Sequence, residues 1–174
     1  MKVEVTDGIT IAREPVRPGS RADRHARERE AVSRALESLL GRGVELSHTP
    51  SGAPVLPACQ GLNISISHSL SQVVVAIGRV PRLGVDNETL RPQLERVVDK
   101  YLSPREQALF ATPLERLYAW CVKEAAYKAA AVEGVDFATG ICIADDGNEV
   151  SVGNLCLKIV TVELSAESTT VIVF

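Results

Sequence analysis

The sequence predicts an α+β fold from three observations: a helix-period stretch near the N-terminus, a strand-rich middle that gives way to helices after Asp86, and a tail of short β-branched segments divided by turn residues. With 174 residues, 45% of them hydrophobic, the chain can bury one continuous core, and a single folding unit is expected over 1–174. Two halves appear within it, about 1–80 and 81–174, each with helix and strands, meeting near Pro81. No sequence repeat relates them, so any symmetry between the halves is structural only.

Taken in order, Ser20 to Leu40 carries apolar residues at Val32, Ala35, Leu36, Leu39 and Leu40, which is a helical period, with Ser20 as N-cap and Gly41 as stop. Thr49 to Pro57 is rich in Pro and Gly and reads as loop. Asn63 to Ile66, Gln72 to Gly78 and Arg82 to Asn87 read as strands, and the VVVAI within the second is apolar enough to be buried on both faces. Pro92 and Pro104 suit first helical positions, and Ser103 with Glu106 forms a capping box. In the third helix Thr112 caps, Pro113 opens, Glu115 closes the box and Gly134 is the expected end. From Thr139 onward, ICIAD, EVSV, LCLKIVTVEL and TTVIVF alternate with turn residues, the pattern of an antiparallel meander.

Composition removes several classes of function. No stretch approaches the ~20 apolar residues of a membrane span, and the N-terminus lacks the basic-then-apolar pattern of a secretory signal, so a cytoplasmic location is expected. Cys59, Cys121, Cys142 and Cys156 are scattered, without zinc or disulfide spacing. Nine of the 19 Lys and Arg residues fall in the first 42 positions, so one end can attract anions. Only 4% of residues are aromatic and no RNA- or DNA-binding signature accompanies the basic stripe, which argues against nucleic acid.

Asp86 and Glu88 sit two apart at a strand end, so their side chains leave the same face and can converge on one cation. Glu124 lies mid-helix on a stripe with Trp120 and Lys128, and a helix packed across the strand end could aim its carboxylate at the same point. Three hard oxygen ligands suit magnesium. By spacing alone the plainer reading is a solvated turn for the D-x-E and an ordinary helix-stabilising pair for Glu124 with Lys128. His68 in ISISHS follows a strand and is expected on a tight turn, where a histidine satisfied by a backbone carbonyl is the plain alternative.

In order, ISISHS (Ile64 to Ser69), LGVDNE (Leu83 to Glu88) and WCVKEAAYK (Trp120 to Lys128) resemble the three motifs of the 4′-phosphopantetheinyl transferase superfamily. GAPVLP after a basic helix, YLSPREQ before the tryptophan and the strand-rich tail extend the likeness over nearly the whole chain, in the arrangement of the surfactin-type branch. The resemblance implies two similar α+β halves in a pseudo-symmetric fold that encloses coenzyme A at their junction, and a monomer. It implies an enzyme that moves 4′-phosphopantetheine from coenzyme A to a serine of an apo acyl, aryl or peptidyl carrier protein, releasing 3′,5′-ADP. A non-catalytic paralogue that binds coenzyme A or a carrier is the alternative.

Carried over by position, Asp86, Glu88 and Glu124 would hold magnesium against the pyrophosphate. His68, aided by Ser67, would contact the nucleotide phosphates. Lys128 would neutralise the pyrophosphate, while Lys123 would do so or support the site. Arg34, and after it Arg27, would meet the 3′-phosphate side. Glu124 would serve as metal ligand before general base, since a cation favours the ionised carboxylate. Three departures stand out. Ala53 replaces the lysine of a GKP string and removes a phosphate contact. Asn87 replaces an apolar residue between the two acids. The chain is also shorter than typical members, so the loops that grip the carrier are expected to be reduced. Arg21, Arg24 and Arg27 form a basic surface suited to an acidic carrier.

Overall fold

The computed structural model describes residues 2–5 and 7–174. The chain opens with two antiparallel strands, β1 (Lys2–Glu4) and β2 (Thr10–Pro15), for which the apolar pattern offered no expectation. β2 lies inside its sheet, so the consecutive Ile11 and Ala12 are both fully buried. The Arg13–Glu14 pair that follows breaks any alternation and hides the strand.

Helix α1 spans Arg24–Leu40, shorter at its start than the sequence suggested. Ser20 is not the cap: its hydroxyl donates to Asp23 at 2.6 Å, and Asp23 is the N-cap residue. Gly41 (φ +88) ends the helix as expected. The stretch expected to be loop contributes to a small ladder, β3 (Ser47–His48) against β4 (Pro54–Val55). Next come β5 (Asn63–His68), β6 (Gln72–Gly78) and β7 (Gly84–Glu88). His68 is therefore the last residue of a strand rather than part of a turn.

Four helical elements follow: α2 (Pro92–Glu95), a 3₁₀ turn (Val98–Lys100), α3 (Pro104–Leu109) and α4 (Pro113–Ala130). Both expected capping boxes are formed. α4 stops earlier than Gly134, because Ala131 turns left-handed (φ 53) and its N–H reaches Tyr127 O at 3.2 Å. The tail is the expected meander, β8 (Ile141–Ile143), β9 (Glu149–Val152), β10 (Leu155–Leu164) and β11 (Thr169–Val173).

Among the described residues the strands form one sheet in the order β1–β2–β6–β5 and another in the order β7–β11–β10–β9–β8. The fold is α+β, with antiparallel pairing throughout. α1 lays Ala31, Val32, Ala35, Leu36 and Leu39 on Val73, Val75 and Ile77 of β6. α4 lays Val122, Ala125, Ala126 and Ala129 on the second sheet, against Val171 and Val173. Residues on the opposite faces, among them Val74, Ala76, Val85 and Ile172, make a third core that joins the halves. No described helix is long and apolar enough to cross a membrane.

The sheets meet edge to edge, β5 beside β7, without a backbone ladder between them. Side chains close the seam instead. Ser65 Oγ accepts the Val85 N–H at 2.9 Å, and Ser67 Oγ accepts the Asn87 N–H at 3.1 Å. Lys128 Nζ donates to the Val85 carbonyl at 3.0 Å. These polar groups on the β7 edge are thus satisfied although no strand pairs with it.

α4 approaches β7 closely because small residues face each other. A Cβ at Gly84 would stand 1.8 Å from Ala125 O and 2.9 Å from Ala129 N, both rigid helix backbone. Gly84→Ala is therefore expected to destabilise the protein by about 3 kcal/mol or more, read from the urea midpoint.

One buried ion pair locks α3, α4 and β8 together. Lys123 Nζ, with a fully buried side chain, donates to Glu106 Oε2 and to Phe137 O, each at 2.7 Å. Glu106 also accepts the Ser103 N–H at 3.0 Å and the Ile143 N–H at 3.1 Å. Burial pushes the Glu106 carboxyl up, but the Lys123 bond and the backbone donors outweigh it and leave the pKa lowered. The wild-type contribution is therefore present above the unfolded carboxylate range and lost as pH falls through the folded value. In Lys123→Met the buried carboxylate lacks its partner, a loss of about 3–5 kcal/mol at neutral pH. Its pKa should then be raised, so the variant should recover stability on acidification, opposite in sign to wild type, in urea titrations across acid pH.

Candidate functional site

The strand alternation places Gly84, Asp86 and Glu88 on the face of β7 that meets α4. Asp86 and Glu88 are nearly buried, at 5% and 7% exposure. On the helix above, Glu124 and Lys128 are one turn apart. With Ser67, His68 and Trp120 these side chains line a cavity of about 360 Å³ at the seam, which Arg24 and Arg91 also line. Trp120 is fixed edge-on to Tyr101, with ring centroids 5.1 Å apart.

The acids are held differently from one another. Asp86 Oδ1 accepts from Ser67 Oγ and from Lys128 Nζ, both at 2.8 Å, while the buried Oδ2 has no hydrogen-bond partner among the described residues. Glu88 is ion-paired to the Arg91 guanidinium, three residues on. Burial, and then the charge of Asp86, raise the Glu124 pKa, with Lys128 opposing them. The His68 imidazole is held below its ordinary value chiefly by burial, with Lys128 and Arg24 adding to the effect against Glu28 and Asp86.

Two further cavities continue from the first. One of about 840 Å³ shares Ile66 and His68 with it and is lined by His25, Arg29 and His48 beside Val32, Leu36 and Leu46. The other, of about 530 Å³, shares Ile66 and Lys128 and runs past Ala53 between Leu83 and Tyr127. The groove as a whole therefore has α1 and α4 as its walls and β5 and β7 as its floor.

The structure brings Asp86, Glu88, Glu124, Lys128, His68 and Ser67 to one cleft. It does not bring Lys123 or Arg34 there. Of the two roles expected for Lys123, its burial against Glu106 leaves support of α4. Arg34 bonds Glu14 at 3.2 Å and the Pro15 carbonyl at 2.8 Å, and Arg27 bonds the Ser20 carbonyl at 2.8 Å. Seven residues apart, these two share a helix face, while His25, Arg29, Val32 and Leu36 form the one that lines the groove. The basic groups in the groove that sequence reasoning missed as site residues include Arg24, His25, Arg29 and Arg91. The helical spacing of Arg29 with Val32 and Leu36 was available as a signal; nothing local distinguished Arg91.

The donor types suit a hard divalent cation: three carboxylates line the cavity, and Asp86 Oδ2 is a buried acceptor without a hydrogen-bond partner among the described residues. Yet among the described residues no three or more His, Cys, Asp or Glu side chains are gathered as a ready-made metal cage. Glu88 faces a cation of the chain itself and would have to exchange that partner for a metal, whereas Lys128 occupies only Oδ1 of Asp86.

Among curated proteins none matches this sequence. Residues 82–164, the stretch from the approach to β7 to the end of β10 that carries Asp86, Glu88, Glu124 and Lys128, match the family model of the 4′-phosphopantetheinyl transferase superfamily.

Proposed function

We propose that the chain transfers 4′-phosphopantetheine from coenzyme A to a serine of an apo carrier protein, as a member of the surfactin-type branch. The observation that carries this reading is that Asp86, Glu88, Glu124 and Lys128 line one cleft at the seam of the two halves. Since both walls of the groove come from a single chain, a monomer suffices. Asp86, Glu88 and Glu124 would hold magnesium, whose charge would offset that of the pyrophosphate.

This chain's own residues divide the remaining work. Lys128 offsets the charge that grows on the departing 3′,5′-ADP as the carrier serine attacks the phosphorus on the pantetheine side. A carboxylate, Glu124 directly or through water, takes the serine proton. His68 contacts the phosphates from β5, Ser67 gives its one hydroxyl proton to Asp86 and so orients that acid, and Arg29 with His25 takes over the 3′-phosphate side assigned to Arg34 from the sequence. Trp120, braced by Tyr101, walls the same cleft.

The direct test is mass spectrometry of a panel of apo acyl, aryl and peptidyl carriers incubated with coenzyme A, magnesium chloride and the protein. One carrier should gain a single phosphopantetheine, and Glu124→Ala should slow the gain by roughly a hundredfold or more. Gain at an undiminished rate in that variant would reject the site. Binding of coenzyme A without turnover on any carrier would favour a non-catalytic binding role.

A second expectation concerns pH. A bound phosphate favours imidazolium, so coenzyme A should raise the His68 pKa from its lowered free value. Binding then takes up a proton, and affinity should fall as pH rises through the bound-state value. Calorimetry at several pH values should show this slope in wild type. In His68→Ala it should flatten, with roughly tenfold weaker binding at the acid end. A flat wild-type profile would remove His68 from phosphate contact.

A further inference from the structure

Resting on that reading of the cleft, we infer that Arg91 is a displaceable counter-ion of the site: it holds Glu88 until a divalent cation takes the carboxylate, and is then free to meet an anionic substrate at the mouth. The Glu88 side chain is only 9% exposed, so its charge needs a partner inside the fold. Arg91 supplies it from a backbone kept extended (φ −144, ψ 142) by the following Pro92. The Arg91 side chain is itself 44% exposed, so it can return to water with little desolvation cost.

The other cations of the cleft are tied down more firmly. Lys128 is 29% exposed and is held by the Val85 carbonyl at 3.0 Å as well as by Asp86. Arg24 pairs with Glu28 at 2.6 Å and donates to Ser69 O at 3.3 Å, touching none of the three acids in the proposed metal set. Arg91 is thus the cation that a metal would evict first. Since the released guanidinium adds positive charge where the anion enters, cation and anion should bind with positive coupling, and by linkage each should favour the other equally.

The test titrates magnesium chloride into the full chain by isothermal calorimetry, with and without coenzyme A, with circular dichroism to verify folding. Without coenzyme A, Arg91→Ala and the more conservative Arg91→Gln should bind magnesium roughly tenfold more tightly than wild type, because the competitor is gone. Arg24→Ala removes a like charge from the same cleft but leaves the Glu88 pair intact, and should shift the affinity much less. The Arg91 variants should also lose part of the coupling between magnesium and coenzyme A. If wild type binds magnesium but the Arg91 variants bind no tighter than wild type, or no tighter than Arg24→Ala, the counter-ion role is rejected while the metal site stands. If folded wild type takes up no magnesium at all, the metal reading and this inference are both overturned.

Discussion

Two sheet edges meet at the centre of this molecule without a ladder between them, and the hydroxyls of Ser65 and Ser67 make that possible. β7 is fully buried, yet β11 pairs with only one of its edges. Main-chain groups facing the other way would be orphaned without Ser65, Ser67 and Lys128. Because the bridge is made by short side chains, β5 and β7 need not follow a common pleat, and the halves leave a groove above their junction. Ser67 serves twice, accepting from the Asn87 N–H and donating to Asp86. The groups that join the halves therefore also orient the chemistry.

Charge balance is the second constraint. Three carboxylates in a partly buried cleft would repel one another and lose hydration, and the chain answers with Lys128 against Asp86 and Arg91 against Glu88. Among the described residues Glu124 receives no such ion pair, and burial with the charge of Asp86 raises its pKa. Two of the three carboxylates are thus offset by cations of the chain itself. α4 carries this load because it is held on both sides: Gly84 and the alanines let it sit against β7, and the buried Lys123–Glu106 pair fixes it to α3 and β8.

Local chemistry explains which elements were legible. Ser103 with Glu106 and Thr112 with Glu115 specify their helix starts within four residues, so α3 and α4 begin where the pattern says. The meander was readable because turn residues punctuate segments of suitable length. β2 was not, since Arg13 lies 3.1 Å from Glu163 and Glu14 3.2 Å from Arg34, partners that are distant in sequence. The early start expected for α1 failed for a local reason instead: the Ser20 hydroxyl donates to Asp23, three residues on.

The sequence alone determined the residue types and their local spacing: two acids two apart on a strand, an acid and a lysine one turn apart on a helix, and the caps that start the helices. These depend on periods of 2 and 3.6 residues, which any stretch of chain carries within itself. Only the tertiary structure decided which charged groups share a cleft. Whether Lys123 or Lys128 reaches Asp86, and whether Arg34 or Arg29 faces the groove, follows from the side of each helix that is buried. That choice is made by packing against strands far away in sequence, and no local period encodes it.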